Sequence, residues 1–140
     1  LTNRRLFQLK ADYLIPAATG HVIDATNAAG VGARVIVEGA NMPVTCDAMK
    51  LLTQNGVEIL PDVYANAGGV IASNVEYRQA LGGSKFTREM TYAHIRECFD
   101  AMYEAMLPYL KKGRTMTEAG IDVALGRVYQ TMIERGLLSR

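Results

Sequence analysis

The sequence predicts an α/β fold: a mostly parallel sheet with crossover connections, followed by C-terminal helices. Two observations carry this. Over roughly the first half, short apolar runs alternate with helical patterns, an arrangement that calls for right-handed crossovers between parallel strands. Beyond that, the chain holds only two long helical patterns.

The elements follow in order. "ADYLIPAA" (11–18) reads as a buried strand stopped by Pro16 and the small residues after it. "ARVIVEGAN" (33–41) is β-branched and apolar up to Glu38, which suits a strand covered on both faces. "PVTCDAMKLLTQNG" opens with proline and a Thr/Asp cap signal, spaces Ala48, Leu51 and Leu52 helically, and stops at Gly56. "VEILPD" (57–62) is a third strand. From Thr87 to Lys112, Tyr92, Ile95, Phe99, Met102, Met106 and Leu110 form one helical stripe, with Pro108 in its last turn and "LKKG" as its stop. A final helix opens on Thr115 and Glu118 at capping-box spacing, with Ile121, Leu125, Val128 and Met132 as its expected buried face. "LGGSKF" (81–86) is the expected linker. The Met-rich stripes read as core.

Composition narrows the function classes. The 140 residues suffice for one domain with a real core, and 15 basic against 14 acidic residues leave no basic excess for nucleic acid. No apolar run approaches the roughly 18 residues of a membrane span, and the N-terminus shows no secretory signal. Cys46 and Cys98 read as reduced, buried thiols of a cytoplasmic protein. With His21 and His94 at unrelated spacings they make no metal site.

Three small-residue segments follow the three strands: "IPAAT" (15–19), "EGANMP" (38–43) and "ANAGG" (65–69). Ligands of open parallel sheets bind at that edge. Small side chains admit a flat ring or a ribose, and Asn41 and Asn66 each offer a donor and an acceptor. The plainer alternative is that these residues only serve turns. Glu38, ending an apolar strand, is either a catalytic base or an anchor accepting backbone N–H bonds, and no dyad partner stands near it in sequence. A GxGxxG turn is absent, and "AAGVGA" (28–33) precedes a strand, so it has no phosphate role.

"ADYLIPAA", "VIVEGANMPVT" and "ILPDVYANAGGVIAS" together resemble the C-terminal part of the Glu/Leu/Phe/Val dehydrogenases, and among them the glutamate dehydrogenases most. The match is dense from Ala11 to Gln79, with "ALGRVYQTMIERG" agreeing later. The resemblance implies a partial Rossmann-type unit: residues 1–80 as the second half of a dinucleotide-binding domain, and 81–140 as a helical segment packing on it. It implies oxidation of L-glutamate to 2-oxoglutarate and ammonia with NAD or NADP. The family's catalytic lysine and aspartate and its glycine-rich turn have no counterpart here, so the chain alone is expected to be inactive, as a fragment, a split subunit or an excised piece.

Carried over residue by residue, Ala17 and Ala18 would line the cofactor cleft and Asn41 would meet the nicotinamide end. Asn66, with Gly68, Gly69 and Val70, would border the point where nicotinamide meets substrate. Ser73 would help bind a side-chain carboxylate, where leucine and phenylalanine enzymes carry an apolar residue; a cap or back-bond within the helix is its alternative role. After Ser73 the family often reads "YFEWVQN", whereas this chain reads "NVEYRQA". A homo-oligomer, or association with a missing N-terminal part, is the expected assembly. The competing readings are a non-catalytic nucleotide-binding or regulatory module and a purely structural interaction domain. NAD and NADP are not distinguished.

Overall fold

The computed structural model describes residues 2–82 and 85–138. A first short helix, α1 (Asn3–Phe7), is capped by the Thr2 hydroxyl and delivers Phe7 into the core. Strand β1 (Ala11–Leu14) follows, then a crossover containing one 3-10 turn at Ala28–Gly30, then β2 (Ala33–Val37). No α-helix spans this first crossover, contrary to expectation. Its polar residues bond to one another instead: Asp24 accepts from the Thr26 amide and hydroxyl, and the Asn27 side chain accepts from the Asp24 amide.

Helix α2 (Cys46–Gln54) starts where the Thr45 hydroxyl accepts the Ala48 amide, and ends before Gly56, whose φ of +78° favours glycine. Strand β3 (Glu58–Leu60) completes a parallel sheet of order β1-β2-β3, with Tyr13 opposite Val35 and Ile36 opposite Ile59. One isolated parallel bridge, Ile23 to Val44, ties the crossover to the segment before α2. The core gathers Phe7, Ile23, Ala28, Ile36, Val44, Ala48 and Leu52. Expulsion of this apolar surface from water is what drives the crossover and α2 onto the sheet.

Next come α3 (Asp62–Ala65), α4 (Ala67–Ala80), α5 (Arg88–Leu110) and α6 (Met116–Glu134). Gly83 and Ser84 of the expected linker lie outside the described residues. Helix α5 packs on α4 and α6, and α6 also rests on β3. Phe99 of α5 meets Tyr64 of α3 edge-on at 5.1 Å. The capping box of α6 is formed: Glu118 accepts the Thr115 amide, and Thr115 accepts the Glu118 amide.

Four expectations need correction. Strand β1 is not buried: Tyr13 is 66% exposed, because β1 is the outer strand and among the described residues pairs only with β2. In α5, Tyr92 lies outside the packed stripe at 52% exposed. In α6, Ile121, Leu125 and Val128 are exposed, and the inward face is Met116, Ala119, Gly120 and Val123. Ala119 is fully buried on that face, and Gly120 looks onto Met106, where an added Cβ would make ordinary contact 3.8 Å from the sulfur. Finally, the cysteines are free but not buried. Cys46 is exposed and Cys98 is half-buried.

Candidate functional site

Parallel pairing brings the ends of β1, β2 and β3 to one edge of the sheet. The segments that leave this edge are fastened to one another. The Ala40 amide donates to the Pro16 carbonyl at 2.8 Å, joining the loops after β1 and β2. Gly39 stands so close to Ala17 that a Cβ on it would lie 3.0 Å from the Ala17 methyl. A larger residue at position 39 would drive these loops apart.

Across the edge, the Asn66 amide donates to the Asn41 side-chain oxygen at 2.8 Å. It also reaches the Gly39 carbonyl at the limit of 3.5 Å. Asn66 ends α3 and begins α4 without capping either with its side chain, so its amide is free to make this pairing. Asn41 is exposed and Asn66 half-buried, which leaves hydrogen-bonding capacity on the open side of the pair.

Behind the amides lies a carboxylate pair. Glu38 is 2% exposed, and its Oε2 accepts the Asp62 amide at 2.9 Å, the anchoring role weighed for it in sequence. Asp62 Oδ2 accepts the Met42 amide at 2.8 Å. Burial raises the Glu38 pKa above the usual range; the Asp62 amide opposes this, the Asp62 charge adds to it, and the Val44 amide opposes it weakly. Met42 is 60% exposed, in the left-handed region at φ +45°. Asp62 and Met42 were not singled out in sequence, although Asp62 stands in the matching "ILPD" stretch.

Helix α4 opens from this edge. Gly69, Val70 and Ser73 lie along its exposed face, with Val70 70% exposed. Gly68 turns the other way: a Cβ there would meet Phe99 at 3.7 Å and Ile95 at 3.8 Å, so this glycine backs onto α5. No back-bond holds Ser73 among the described residues, whereas Thr91 and Thr131 donate to carbonyls four residues earlier. Ala17 and Ala18 are both exposed at the near side of the edge. Thus Ala17, Asn41 and Asn66 converge through Gly39, Gly69, Val70 and Ser73 continue the face along α4, and Gly68 does not share it.

Chemically, this is an edge of amides and small side chains, with the Thr19 and Ser73 hydroxyls and the carboxylates of Glu38 and Asp62. Segments 15–19, 38–43 and 61–73 contain no lysine, arginine or histidine. The edge offers amide donors and acceptors to a polar group, and these segments bring no cation to a phosphate. Among the described residues no cluster of His, Cys, Asp and Glu could hold a metal ion, and no helix is long and apolar enough to cross a membrane.

The model of the Glutamate/Leucine/Phenylalanine/Valine dehydrogenase family matches residues 1–136. The chain belongs to that dehydrogenase family. The NADP-specific glutamate dehydrogenase of Saccharolobus shibatae is 36% identical to it, over 99% of this chain and 33% of that protein. NAD-specific glutamate dehydrogenase A of Halobacterium salinarum is also 36% identical, over 98% of this chain and 32% of its own length. Among solved structures, a hetero-hexameric glutamate dehydrogenase from Thermus thermophilus in a leucine-bound form superposes with a TM-score of 0.83 at 26% identity. It is covered over 34% of its length, and this chain over 99%. This chain therefore spans about a third of the relatives it matches, and its sheet and helices correspond to part of their dinucleotide-binding fold.

Proposed function

We propose that this chain forms the nicotinamide-facing portion of an NAD(P)-dependent glutamate dehydrogenase. Residues 1–80 supply the second half of its dinucleotide-binding domain, and residues 81–140 a helical segment packed against it. The observation that carries the reading is the Asn66–Asn41 amide pair, 2.8 Å apart, at the edge where three parallel strands end. Relatives named for NAD and for NADP leave both cofactors open to this chain.

When bound, the nicotinamide supplies the hydride acceptor for amino-acid oxidation. The chain's own residues position and shelter it. Ala17 and Ala18 keep one wall of the edge thin. Asn41 and Asn66 orient a carboxamide with the capacity left over from their mutual bond. Gly69 leaves room above α4, while Gly68 backs onto α5 and takes no part in that room. Val70 and Ser73 face the substrate side, where the Ser73 hydroxyl donates to the distal carboxylate of glutamate; an aliphatic substrate would leave it unpaired.

On this reading the phosphate-binding turn and the proton-transfer groups lie outside these 140 residues, which act in association with a part that carries them or in an oligomer and have no turnover of their own. Two features support such association: the open outer edge of β1 and the exposed Ile121, Leu125 and Val128 of α6. Steady-state oxidation of L-glutamate with NAD and with NADP tests the proposal in the protein that carries this chain. Turnover that falls on Asn66→Ala supports it. A protein that binds nucleotide but turns over no amino acid would be the non-catalytic module instead.

A further inference from the structure

Glu38 lies behind the amide face, yet the geometry of that face runs through it. One carboxyl oxygen accepts the Asp62 amide at 2.9 Å, while Oε1 is buried with no hydrogen-bond partner among the described residues. Asp62 passes the restraint on. Its Oδ1 accepts the Val63 amide at 2.7 Å and its Oδ2 the Met42 amide at 2.8 Å. Met42 directly follows Asn41, and α3, which Asp62 opens, leads straight to Asn66. The two members of the amide pair are therefore held from one point.

That point is poorly suited to a charge. The charged group facing Glu38 is the Asp62 carboxylate, of the same sign; the Val44 amide approaches without bonding to Oε1. Oε1 lacks a partner in either form, but ionised, Glu38 would set a second negative charge in a buried place, which costs far more than a neutral group left unpaired. Neutral, it keeps the acceptor that the Asp62 amide needs and carries no charge against Asp62.

We propose that Glu38 is a positioning residue of this edge: as a neutral carboxylic acid it holds the Asp62 amide, and Asp62 holds Met42, so that Asn41 meets Asn66. The kinetic consequence rests on the proposed function; the geometric one does not. Burial, the largest influence on this carboxyl, favours the same neutral form.

Two measurements test it. Carboxyl carbon NMR of the glutamate-labelled protein, assigned with Glu38→Gln, should show Glu38 titrating above the ordinary value of 4.5. Titration at or below that value overturns the proposal. In steady-state kinetics, Glu38→Gln keeps an acceptor oxygen and a neutral head, so kcat/KM for the cofactor should stay near the parent value. Glu38→Ala strands the Asp62 amide and should lose roughly tenfold or more. Should the alanine variant not fold, the pH profile decides. The parent's cofactor KM should rise as Glu38 ionises, and that rise should be missing in Glu38→Gln. A glutamine variant as impaired as alanine, or one that keeps the parent's pH dependence, overturns the role. A protein without any dehydrogenase turnover would defeat the functional reading alone, and the carboxyl titration would then decide this one.

Discussion

Gly69→Ala separates a site from a scaffold. Gly69 is the third residue of α4, in ordinary helical backbone, and a Cβ built on it meets nothing within 4 Å. Alanine there restricts the unfolded chain and favours the helix, a gain of about 0.4–1 kcal/mol. For a domain of this size the gain should raise Tm by roughly 2–4 °C. Gly126 of α6 is equally unobstructed, so Gly126→Ala serves as a control with the same expected gain. The difference lies in what the open space is for. Gly69 faces the proposed nicotinamide edge, and a methyl group that displaces the ring should raise the cofactor KM roughly tenfold or more. Calorimetry and steady-state kinetics on both variants provide the readout. If both stabilise the protein and neither changes the cofactor KM, the space above Gly69 is ordinary solvent and the assignment of this edge fails.

Other outcomes follow from the same geometry. Ser73→Val should lower kcat/KM for glutamate by roughly ten- to a hundredfold and shift preference towards norvaline or leucine; an unchanged glutamate-to-leucine ratio would place Ser73 outside the pocket. Thr115→Ala removes the cap of α6 and should lower Tm by roughly 2–5 °C. Glu118, in the same capping box, is held below its usual pKa by the Thr115 amide first and the Thr115 hydroxyl second. Its stabilisation is therefore complete above pH 4.5 and lost as pH falls through the lowered value, so the Tm deficit of Glu118→Gln should close on acidification. Light scattering of the 140-residue chain across a concentration series should show association or aggregation through the open β1 edge. A monodisperse monomer at high concentration would show that edge to be protected.

Much of the site was legible because its chemistry is local. Proline, glycine and asparagine after each strand announce loops at the C-terminal edge, and Thr45 and Thr115 announce helix starts. Less legible was anything decided by contacts distant in sequence. The stretch from Thr19 to Gly32 forms no α-helix because Asp24, Thr26 and Asn27 satisfy one another, and bonds among short polar side chains leave no periodic trace. The face of α6 was misread because two stripes fit a helical period. Apolar bulk marks Ile121, Leu125 and Val128, but the face that packs inward carries Ala119 and Gly120, and bulk alone does not tell the two stripes apart. Asp62 was passed over because its bond to Met42 spans 20 residues. Gly68 and Gly69 are adjacent and chemically identical in sequence, and only packing shows that one serves α5 and the other faces open space.

The central claim is that the nicotinamide end of the cofactor lies on Asn41 and Asn66. Side-chain amide resonances of the protein, recorded while reduced nicotinamide mononucleotide is titrated in, test this directly. The ligand carries the ring without the adenylate half, so its contacts report on this edge. The account predicts that Asn41 and Asn66 shift together and saturably, while Asn27, Asn55 and Asn74 stay in place. Asn55 matters most among these, because it lines a groove of about 540 Å³ at the opposite end of the sheet, between the starts of β2 and β3. Shifts at Asn55 with Asn41 and Asn66 unmoved would contradict the account and move the ring to that groove.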